Sequence, residues 1–243
     1  MLVLMKSILL LFAGVLAAAQ PARFTVAVDA YHNNEDKMPL HYRWEGTIQG
    51  GFSELGKVLQ GLGGELRSVN ERVTAKQLSG IDCFIIADPD TPSETTDPKY
   101  LEKDEIDAIE KWVRAGGRLV LLGNDKGNAE FNHFNQLASR FGIEFLETVY
   151  KNTDGKSKLT LQTSNPVLGE PGTFYAVDVA PLKVPAKAKV LLADEGTPLM
   201  ALVTAGKGAV FALGDPWIYN EYIDTKDNRR LVTAVFRHLM SHK

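Results

Sequence analysis

The sequence predicts an α/β protein with a doubly wound, mainly parallel sheet and extra antiparallel strands in its C-terminal half. Before residue 148, apolar runs of strand length alternate with helical patterns at short spacing, which favours parallel strands joined by right-handed crossovers. These runs are almost continuously apolar, as strands are when both faces of a sheet are covered. After about Tyr150, strand-like runs follow one another without long helices between them. This change favours antiparallel strands, some of them joining the sheet edge.

The elements of the N-terminal half follow from the spacing of apolar residues and from the glycines that end the helical patterns. In order, they are a strand at 24–29, a helix within 47–64, strands at 65–70 and 81–87, a helix at 104–117, a strand at 118–122, a helix at 131–142 and a strand at 143–147. The alternation of the two element types is what predicts the parallel sheet.

The C-terminal half is predicted to be mostly strand. Its strand-like runs lie at 158–163, 173–184, 188–194, 198–206 and 208–215, and a closing helix follows at 228–243. The strands expected near the centre of one sheet are 24–29, 81–87, 118–122 and 209–214. No internal repeat or linker interrupts the sequence, so residues 20–243 are predicted to form a single domain.

The first 19 residues are predicted to be a signal peptide. Lys6 is followed by the apolar run 7–16 and then by "AAAQ", the order of charged region, apolar core and small-residue cleavage site in an export signal. Cleavage after Ala19 would release a periplasmic or secreted protein that no longer contacts the membrane. The apolar run is short for a membrane span, and an uncleaved anchor is the alternative.

Charge and cysteine content exclude several classes of function. The net charge of −3 gives no reason to expect nucleic acid or an anionic membrane as a partner. The single cysteine, Cys83, excludes an internal disulfide and a CxxC metal site. Its apolar context, "IDCFII", predicts a buried and unreactive thiol.

Dense polar clusters follow four of the predicted strands: "DAYHNNE" (29–35), "DPDTPSE" (88–94), "GNDKGNAEFNH" (123–133) and "GDPWIYNEY" (214–222). Ligands bind doubly wound sheets outside the carboxyl ends of the strands, so the clusters are expected to line one site. The candidate ligand-binding residues are Tyr31, His32, Asn33, Asn34, Asp90, Asn124, Asp125, Asn128, His133, Trp217 and Asn220, joined by His41, Arg43 and Trp44 from the segment 39–46.

These residue types suit a polyhydroxylated ligand. Amide and carboxylate oxygens pair with hydroxyl groups, and aromatic rings stack on the apolar faces of sugars. Arg43 would suit the carboxylate of a uronate. The alternative is that Trp44 and Trp217 are core or lid residues and that the Asp-Pro pairs only form turns.

A catalytic site is the second possibility at the same strand ends. Two carboxylates facing each other are what glycoside hydrolysis needs, and the candidates are Asp29, Asp88, Asp90, Asp125, Glu130, Asp215 and Glu221. Asp29, Asp88, Asp90 and His133 could also supply metal ligands. No recognised metal-ligand spacing or G-x-S-x-G motif occurs in the sequence, so we expect no metal and no cofactor.

Several longer strings carry a family resemblance: "DAYHNNE", "HYRWEG", "DPDTPSET", "WVRAGGRLVLLGND", "NHFNQLASRFGI" and "GDPWIYNEY". Between about Phe24 and His238, the chain resembles the DUF4350-like accessory domain that follows the catalytic barrel in some bacterial unsaturated rhamnogalacturonyl hydrolases. That domain is in turn similar to the class I glutamine amidotransferase-like fold. The resemblance implies a flavodoxin-like sheet and a role in the metabolism of pectin fragments.

Two departures limit what the resemblance implies. The sequence has no room for the hydrolase barrel, and the turn "LLGNDKGN" lacks the cysteine that amidotransferase chemistry requires. Two hypotheses therefore stay open. In the first, the chain is an exported domain that binds a pectin or rhamnogalacturonan fragment, with a separate glycoside hydrolase as a potential partner. In the second, it is a stand-alone glycan hydrolase.

Overall fold

The computed structural model describes residues 24–151 and 158–241. The predicted signal peptide, residues 1–19, and the last two residues of the predicted closing helix lie outside the described residues. Within the described part of the chain, no helix is both long and apolar enough to cross a membrane.

A seven-stranded mixed sheet organises the domain, with the spatial order β2-β1-β3-β4-β11-β10-β9. Its strands are β1 (Phe24–Asp29), β2 (Gly64–Val69), β3 (Cys83–Ala87), β4 (Arg118–Leu122), β9 (Lys189–Asp194), β10 (Thr197–Ala205) and β11 (Gly208–Leu213). The five strands from β2 to β11 are mutually parallel, whereas β10 and β9 are antiparallel to their neighbours. The predicted α/β class, with antiparallel strands added in the C-terminal half, is confirmed.

Two small antiparallel sheets complete the strand content. Strands β5 (Glu144–Phe145) and β8 (Leu182–Lys183) form one, and β6 (Lys158–Thr163) and β7 (Gly172–Val177) form the other. The single strand predicted at 173–184 is therefore wrong, because the chain leaves β7 at Asp178, which has a left-handed φ of 57°. The strand predicted at 143–147 shortens to two residues.

Four helices cover the sheet: α1 (Ser53–Gly61), α2 (Lys103–Ala115), α3 (Phe131–Ser139) and α4 (Asn228–Ser241). Alternate strand residues belong to two cores, as Val26 and Val28 join one cluster and Ala27 joins the other. Helices α1 and α4 contribute to the first core, and α2 and α3 to the second. Both faces of the sheet are therefore packed, which explains the continuously apolar strands.

Helix limits follow local signals. Helix α2 begins at a capping box in which the side chains of Glu102 and Glu105 bond each other's backbone N–H groups. Helix α1 is shorter than predicted because the chain is tightly folded before it. The Cα atoms of Gly46 and Gly51 approach so closely that a Cβ on either would collide with the other's backbone.

The register of the central strands places their carboxyl ends at one edge. Arg118 of β4 pairs with Cys83 of β3 and lies beside Ala209 of β11, and all three strands run in the same direction. The prediction that 24–29, 81–87, 118–122 and 209–214 belong to one sheet is confirmed. The four polar clusters consequently leave the sheet at the same edge.

Candidate functional site

A buried ionic group follows β1. His32 is 0% exposed, and its Nδ1 lies 2.6 Å from Asp29 Oδ2 while its Nε2 lies 3.5 Å from Glu105 Oε1. Burial alone would lower the pKa of His32, but the charge and hydrogen bond of Asp29, together with Glu105, outweigh burial and raise it to about 10. Burial would likewise raise the pKa of Glu105, and the facing imidazolium lowers it instead. The centre is a charged histidine between two carboxylates.

This ionic group joins three segments of the chain. Asp29 Oδ1 accepts hydrogen bonds from the backbone N–H groups of Tyr31 and His32 at 2.9 and 3.1 Å, which fixes the exit from β1. Glu105 accepts from the N–H of Val73 at 2.7 Å and belongs to the capping box of α2. Asp29 and His32, predicted for catalysis and ligand binding, are thus occupied in holding loops.

A second polar group surrounds Asp90, which is buried. Asn33 Nδ2 donates to the Asp88 carbonyl at 2.9 Å and to Asp90 Oδ1 at 3.3 Å, and the Asn34 N–H donates to Asp90 Oδ2. The Arg43 guanidinium donates to the Asn33 carbonyl. Burial, aided by the nearby charges of Glu94 and Glu35, raises the pKa of Asp90 to about 7.

Two further carboxyl groups lie where β3 and β11 end. Asp88 is 3% exposed and adopts a left-handed φ of 46°, and its Oδ2 accepts from Asn124 Nδ2 at 2.8 Å. Asp215 Oδ2 accepts from the N–H of Val177 at 2.8 Å. In each carboxyl group, the other oxygen is buried without a hydrogen-bond partner among the described residues. Burial raises the pKa of Asp88 well above its ordinary range and that of Asp215 to about 8.

The predicted aromatic and amide ligands have structural roles here. Trp217 is 1% exposed and packs on Phe174 with ring centres 5.1 Å apart, so its ring offers no exposed face for stacking. Trp44 Nε1 donates to the Arg67 carbonyl at 2.7 Å. Trp217 is therefore a core residue, whereas Trp44 is half-buried and packs against the edge of the same core.

Asn220 has a structural role as well, because both polar atoms of its side chain are hydrogen-bonded to the segment 46–54. Its Oδ1 accepts from the N–H of Glu54 in the first turn of α1 at 3.0 Å. Its Nδ2 donates to the carbonyls of Gly46 and Ile48 at 2.9 and 3.0 Å. Asn220 therefore fixes the start of α1 and the loop before it.

The remaining candidates lie closer to solvent. Glu130 caps α3 by accepting from the N–H of His133 at 2.9 Å, and His133 stacks on Tyr100 with ring centres 4.7 Å apart. Asn128 donates to Asp125 within one turn. His41 lies 2.8 Å from a Glu35 oxygen and stacks on Tyr42, whereas Glu221 is exposed.

An open cleft of about 520 Å³ lies beside these groups. We call it the carboxyl-edge cleft, and its lining is Tyr31, Arg72, Pro98, Lys99, Tyr100, Glu102 and Asp104. Tyr31 follows β1, Pro98 to Glu102 lie in the connection from β3 to α2, and Asp104 lies in the first turn of α2. Strands β2 and β3 flank β1 on opposite sides, so the cleft lies at the topological switch point where doubly wound sheets bind ligands.

Most of this lining was missed by the sequence reasoning, since only Tyr31 was among the candidates. The available signal was the long connection 88–102 between β3 and α2, because loops of such length in compact domains are often functional. Lys99 Nζ lies 5.8 Å from the Tyr31 ring centre. Arg72 donates to Asp104 Oδ1 at 2.7 Å and so also lies at the start of α2.

Within residues 24–151 and 158–241, no group of three or more His, Cys, Asp or Glu side chains could hold a metal ion. Cys83 is buried in β3, and burial raises its thiol pKa. The predicted buried thiol is confirmed.

Fold and site together define an α/β protein with a mostly parallel mixed sheet and a candidate site at the carboxyl ends of its strands. The chain belongs to the family described as "Domain of unknown function (DUF4350)", whose model matches residues 87–236. A search of curated proteins found no significant match.

Several solved structures share the fold at low identity. The mmIFT52 N-terminal domain matches with a TM-score of 0.68 and 19% identity, covering 89% of this chain and 97% of that one. A ThuA-like protein from Bacteroides uniformis matches with a TM-score of 0.58 and 19% identity, covering 94% and 96%. A β-galactosidase from Bacillus circulans sp. alkalophilus matches with a TM-score of 0.57 and 16% identity, covering 90% of this chain and 31% of that one.

Proposed function

We propose that this protein binds an acidic, polyhydroxylated ligand, such as a pectin or rhamnogalacturonan fragment, in the carboxyl-edge cleft. The observation that supports the proposal is the position of this cleft at the switch point beside β1 and β3. The more central carboxylates, Asp29, Asp88 and Asp215, are buried. A ligand arriving from solvent would therefore meet the cleft first.

The chemistry of the lining suits a sugar acid. Tyr31 and Tyr100 are half-buried and bring rings that can cover the apolar face of a sugar. Lys99, which pairs with Asp97, and Arg72, which pairs with Asp104 and Glu105, bring positive charge to the cleft that a uronate carboxylate can share. Asp104 and Glu102 can accept hydrogen bonds from hydroxyl groups. Arg43, predicted for the uronate, donates instead to the Asn33 carbonyl, so Lys99 and Arg72 take over that role in the proposal.

The proposal also includes a relationship to one particular group of accessory domains. We infer kinship with the amidotransferase-like accessory domain of rhamnogalacturonyl hydrolases, and the strand order β2-β1-β3-β4, continued by β11, supports it because flavodoxin-like sheets have that order. A fold of this kind also forms part of a β-galactosidase chain, which supports a separate glycoside hydrolase as partner. Export to the periplasm or medium rests on the sequence of residues 1–19.

A stand-alone glycan hydrolase is the second candidate, and Asp90 is the observation that favours it. Burial raises the pKa of Asp90 to about 7, which is where a general acid works best near neutral pH. Burial also raises the pKa of Glu94, a second carboxyl group in the same loop. Asp90 is buried in this structure, so catalysis would require the loop 88–95 to open.

Calorimetric titration with saturated and unsaturated pectin oligosaccharides tests both candidates. Lys99→Gln and Tyr100→Leu should each weaken binding, whereas Lys103→Gln, which removes an exposed lysine paired with Asp107 outside the cleft, should not. Product analysis of the same mixtures separates the two candidates, because turnover that is lost in Asp90→Asn would select the hydrolase. Binding that is equal in all three variants, or no binding by wild type, would refute the proposed site.

A further inference from the structure

A second cleft, of about 230 Å³, lies at the opposite edge of the sheet and is lined by basic residues. We call it the amino-edge cleft. Its polar lining is Arg118, Lys187, Lys189, Thr204, Lys207 and His238, and no carboxylate lines it among the residues that the structure describes. In a protein of net charge −3, this concentration of positive charge differs in sign from the molecule as a whole.

The sheet register brings these cations together from separate segments. Lys189 begins β9 and pairs with Leu202 of β10, while Thr204 pairs with Ala209 of β11. Arg118 begins β4 and also lies beside Ala209. Because β9 and β11 run parallel to β4 and β10 runs against them, the starts of three strands and the end of the fourth meet at one edge.

The hairpin that presents Lys207 is held rigidly. Gly206 occupies the first position of its two-residue turn with a φ of 61°, which tight hairpins favour. The Lys207 N–H donates to the Arg114 carbonyl at 3.0 Å. A Cβ at Gly208 would lie 2.0 Å from the Val113 carbonyl oxygen, so the hairpin packs directly on the end of α2.

Arg118 forms the buried wall of the cleft. Its Nε donates to the Leu239 carbonyl in the last turn of α4 at 3.0 Å, and Nη1 donates to the carbonyls of Gly116 and Lys207. By contrast, Lys187, Lys189 and Lys207 are exposed and form no ion pair with any other residue in 24–151 or 158–241. Within this part of the protein none of the three lysines is therefore within ion-pair distance of a carboxylate, although Asp82 lines an adjoining cleft together with Arg118 and Lys207.

We propose that the amino-edge cleft binds a small multivalent oxyanion, of the kind carried by a phosphate monoester. Lysine ammonium groups act as point charges for phosphate, and the Thr204 hydroxyl can donate a hydrogen bond to an oxyanion. The volume is below the roughly 300–1,000 Å³ of pockets that enclose drug-sized ligands. It suits a single charged group better than an oligosaccharide. The site is separate from the carboxyl-edge cleft and does not depend on the function proposed for it.

Titration of the isotope-labelled protein with inorganic phosphate, followed by amide chemical shifts, tests this site. Chloride at matched ionic strength serves as the reference. We expect saturable shifts in the segments 187–189 and 204–209 with phosphate only. The triple variant Lys187→Gln/Lys189→Gln/Lys207→Gln should lose at least about tenfold in affinity, since hydrogen bonds to charged groups are the stronger ones. Thermal unfolding checks that the variant stays folded.

A matched control removes the same charge elsewhere. Lys57, Lys103 and Lys183 are exposed lysines that pair with surface carboxylates outside the cleft, and their triple glutamine variant should bind phosphate as wild type does. Sedimentation with phosphatidic acid vesicles that depends on the cleft lysines would assign the phosphate to a lipid headgroup, and shifts without sedimentation would assign a soluble ligand. No saturable shift with phosphate, or equal losses in both triple variants, would overturn the proposal.

Discussion

The two edges of the sheet use ionisable residues in opposite ways. At the carboxyl edge, His32 lies between Asp29 and Glu105 with no exposure, and the surrounding loops are held by such contacts. At the amino edge, Lys187 and Lys207 extend into solvent from short turns. The comparison shows that residue type alone is a weak guide to a binding site. Burial decides whether a charged group stabilises a loop or remains available to a ligand.

The largest effect on stability is expected from removing the buried imidazolium of His32 at the carboxyl edge. His32→Ala should lower the free energy of unfolding by about 3–5 kcal/mol, because it leaves Asp29 and Glu105 buried without their shared partner. His133→Ala is the control, since His133 also lies three residues after its carboxylate, Glu130, but is partly exposed, and about 1 kcal/mol or less is expected. Urea unfolding measures both. Similar losses in the two variants would mean that burial does not distinguish these pairs.

The next largest effect on stability is expected from the buried carboxyl group of Asp215. Burial raises the folded-state pKa of Asp215 from 3.8 to about 8, so between these values the folded protein binds more protons than the unfolded chain. The stability that this pKa difference contributes to the folded state is fully present below pH 3.8. It is lost as the pH rises towards 8, by up to about 1.4 kcal/mol per pH unit. Asp215→Asn should therefore show a shallower fall in stability than wild type.

Urea unfolding at about pH 5 and about pH 8 measures that slope. His32, whose pKa is raised from 6.5 to about 10, also loses stability between pH 6.5 and 8, but it is unchanged in the variant and contributes equally to both slopes. The pKa of Asp90 is also raised into this pH range, and Asp90 is likewise unchanged in the variant. Equal slopes for wild type and Asp215→Asn would show that Asp215 is already ionised in the folded protein.

The sequence predicted the sheet well because strands depend on local patterns. The run "CFIIA" became β3 as expected, and the four strands 24–29, 81–87, 118–122 and 209–214 do share a sheet. The shared edge of the polar clusters followed from their parallel direction alone. These features need only the spacing of apolar residues along one segment.

The fate of single polar residues could not be predicted, because each depends on a distant partner. Asn220 bonds the N–H of Glu54, 166 residues earlier, and nothing near Asn220 in the sequence indicates that contact. Trp217 is enclosed by a core to which Phe174 of β7 contributes. The amino-edge cleft was missed for the same reason, since Lys187 and Lys207 are brought together only by the pairing of β9, β10 and β11.

A smaller loss of stability is expected when the hydrogen bonds between Asn220 and the start of α1 are removed. Asn220→Ala should lower the free energy of unfolding by about 1–2 kcal/mol, because the N–H of Glu54 and two loop carbonyls lose their partner. Asn128→Ala is the control at the same edge, because Asn128 is exposed and bonds only within its own turn. If Asn128→Ala costs as much in urea unfolding, Asn220 has no special role in fixing α1.

The amino edge should show the smallest effect on stability. The variant Lys187→Gln/Lys189→Gln/Lys207→Gln is expected to change the free energy of unfolding by only about 0.5 kcal/mol or less, because these exposed lysines form no ion pair within the described residues. Phosphate, however, should raise the melting temperature of wild type and not of this variant, since a ligand that binds only the folded state stabilises it. Scanning calorimetry with and without phosphate measures both quantities. Stability that fell by several kcal/mol without phosphate would make the amino edge structural, like the carboxyl edge, and would remove the contrast between them.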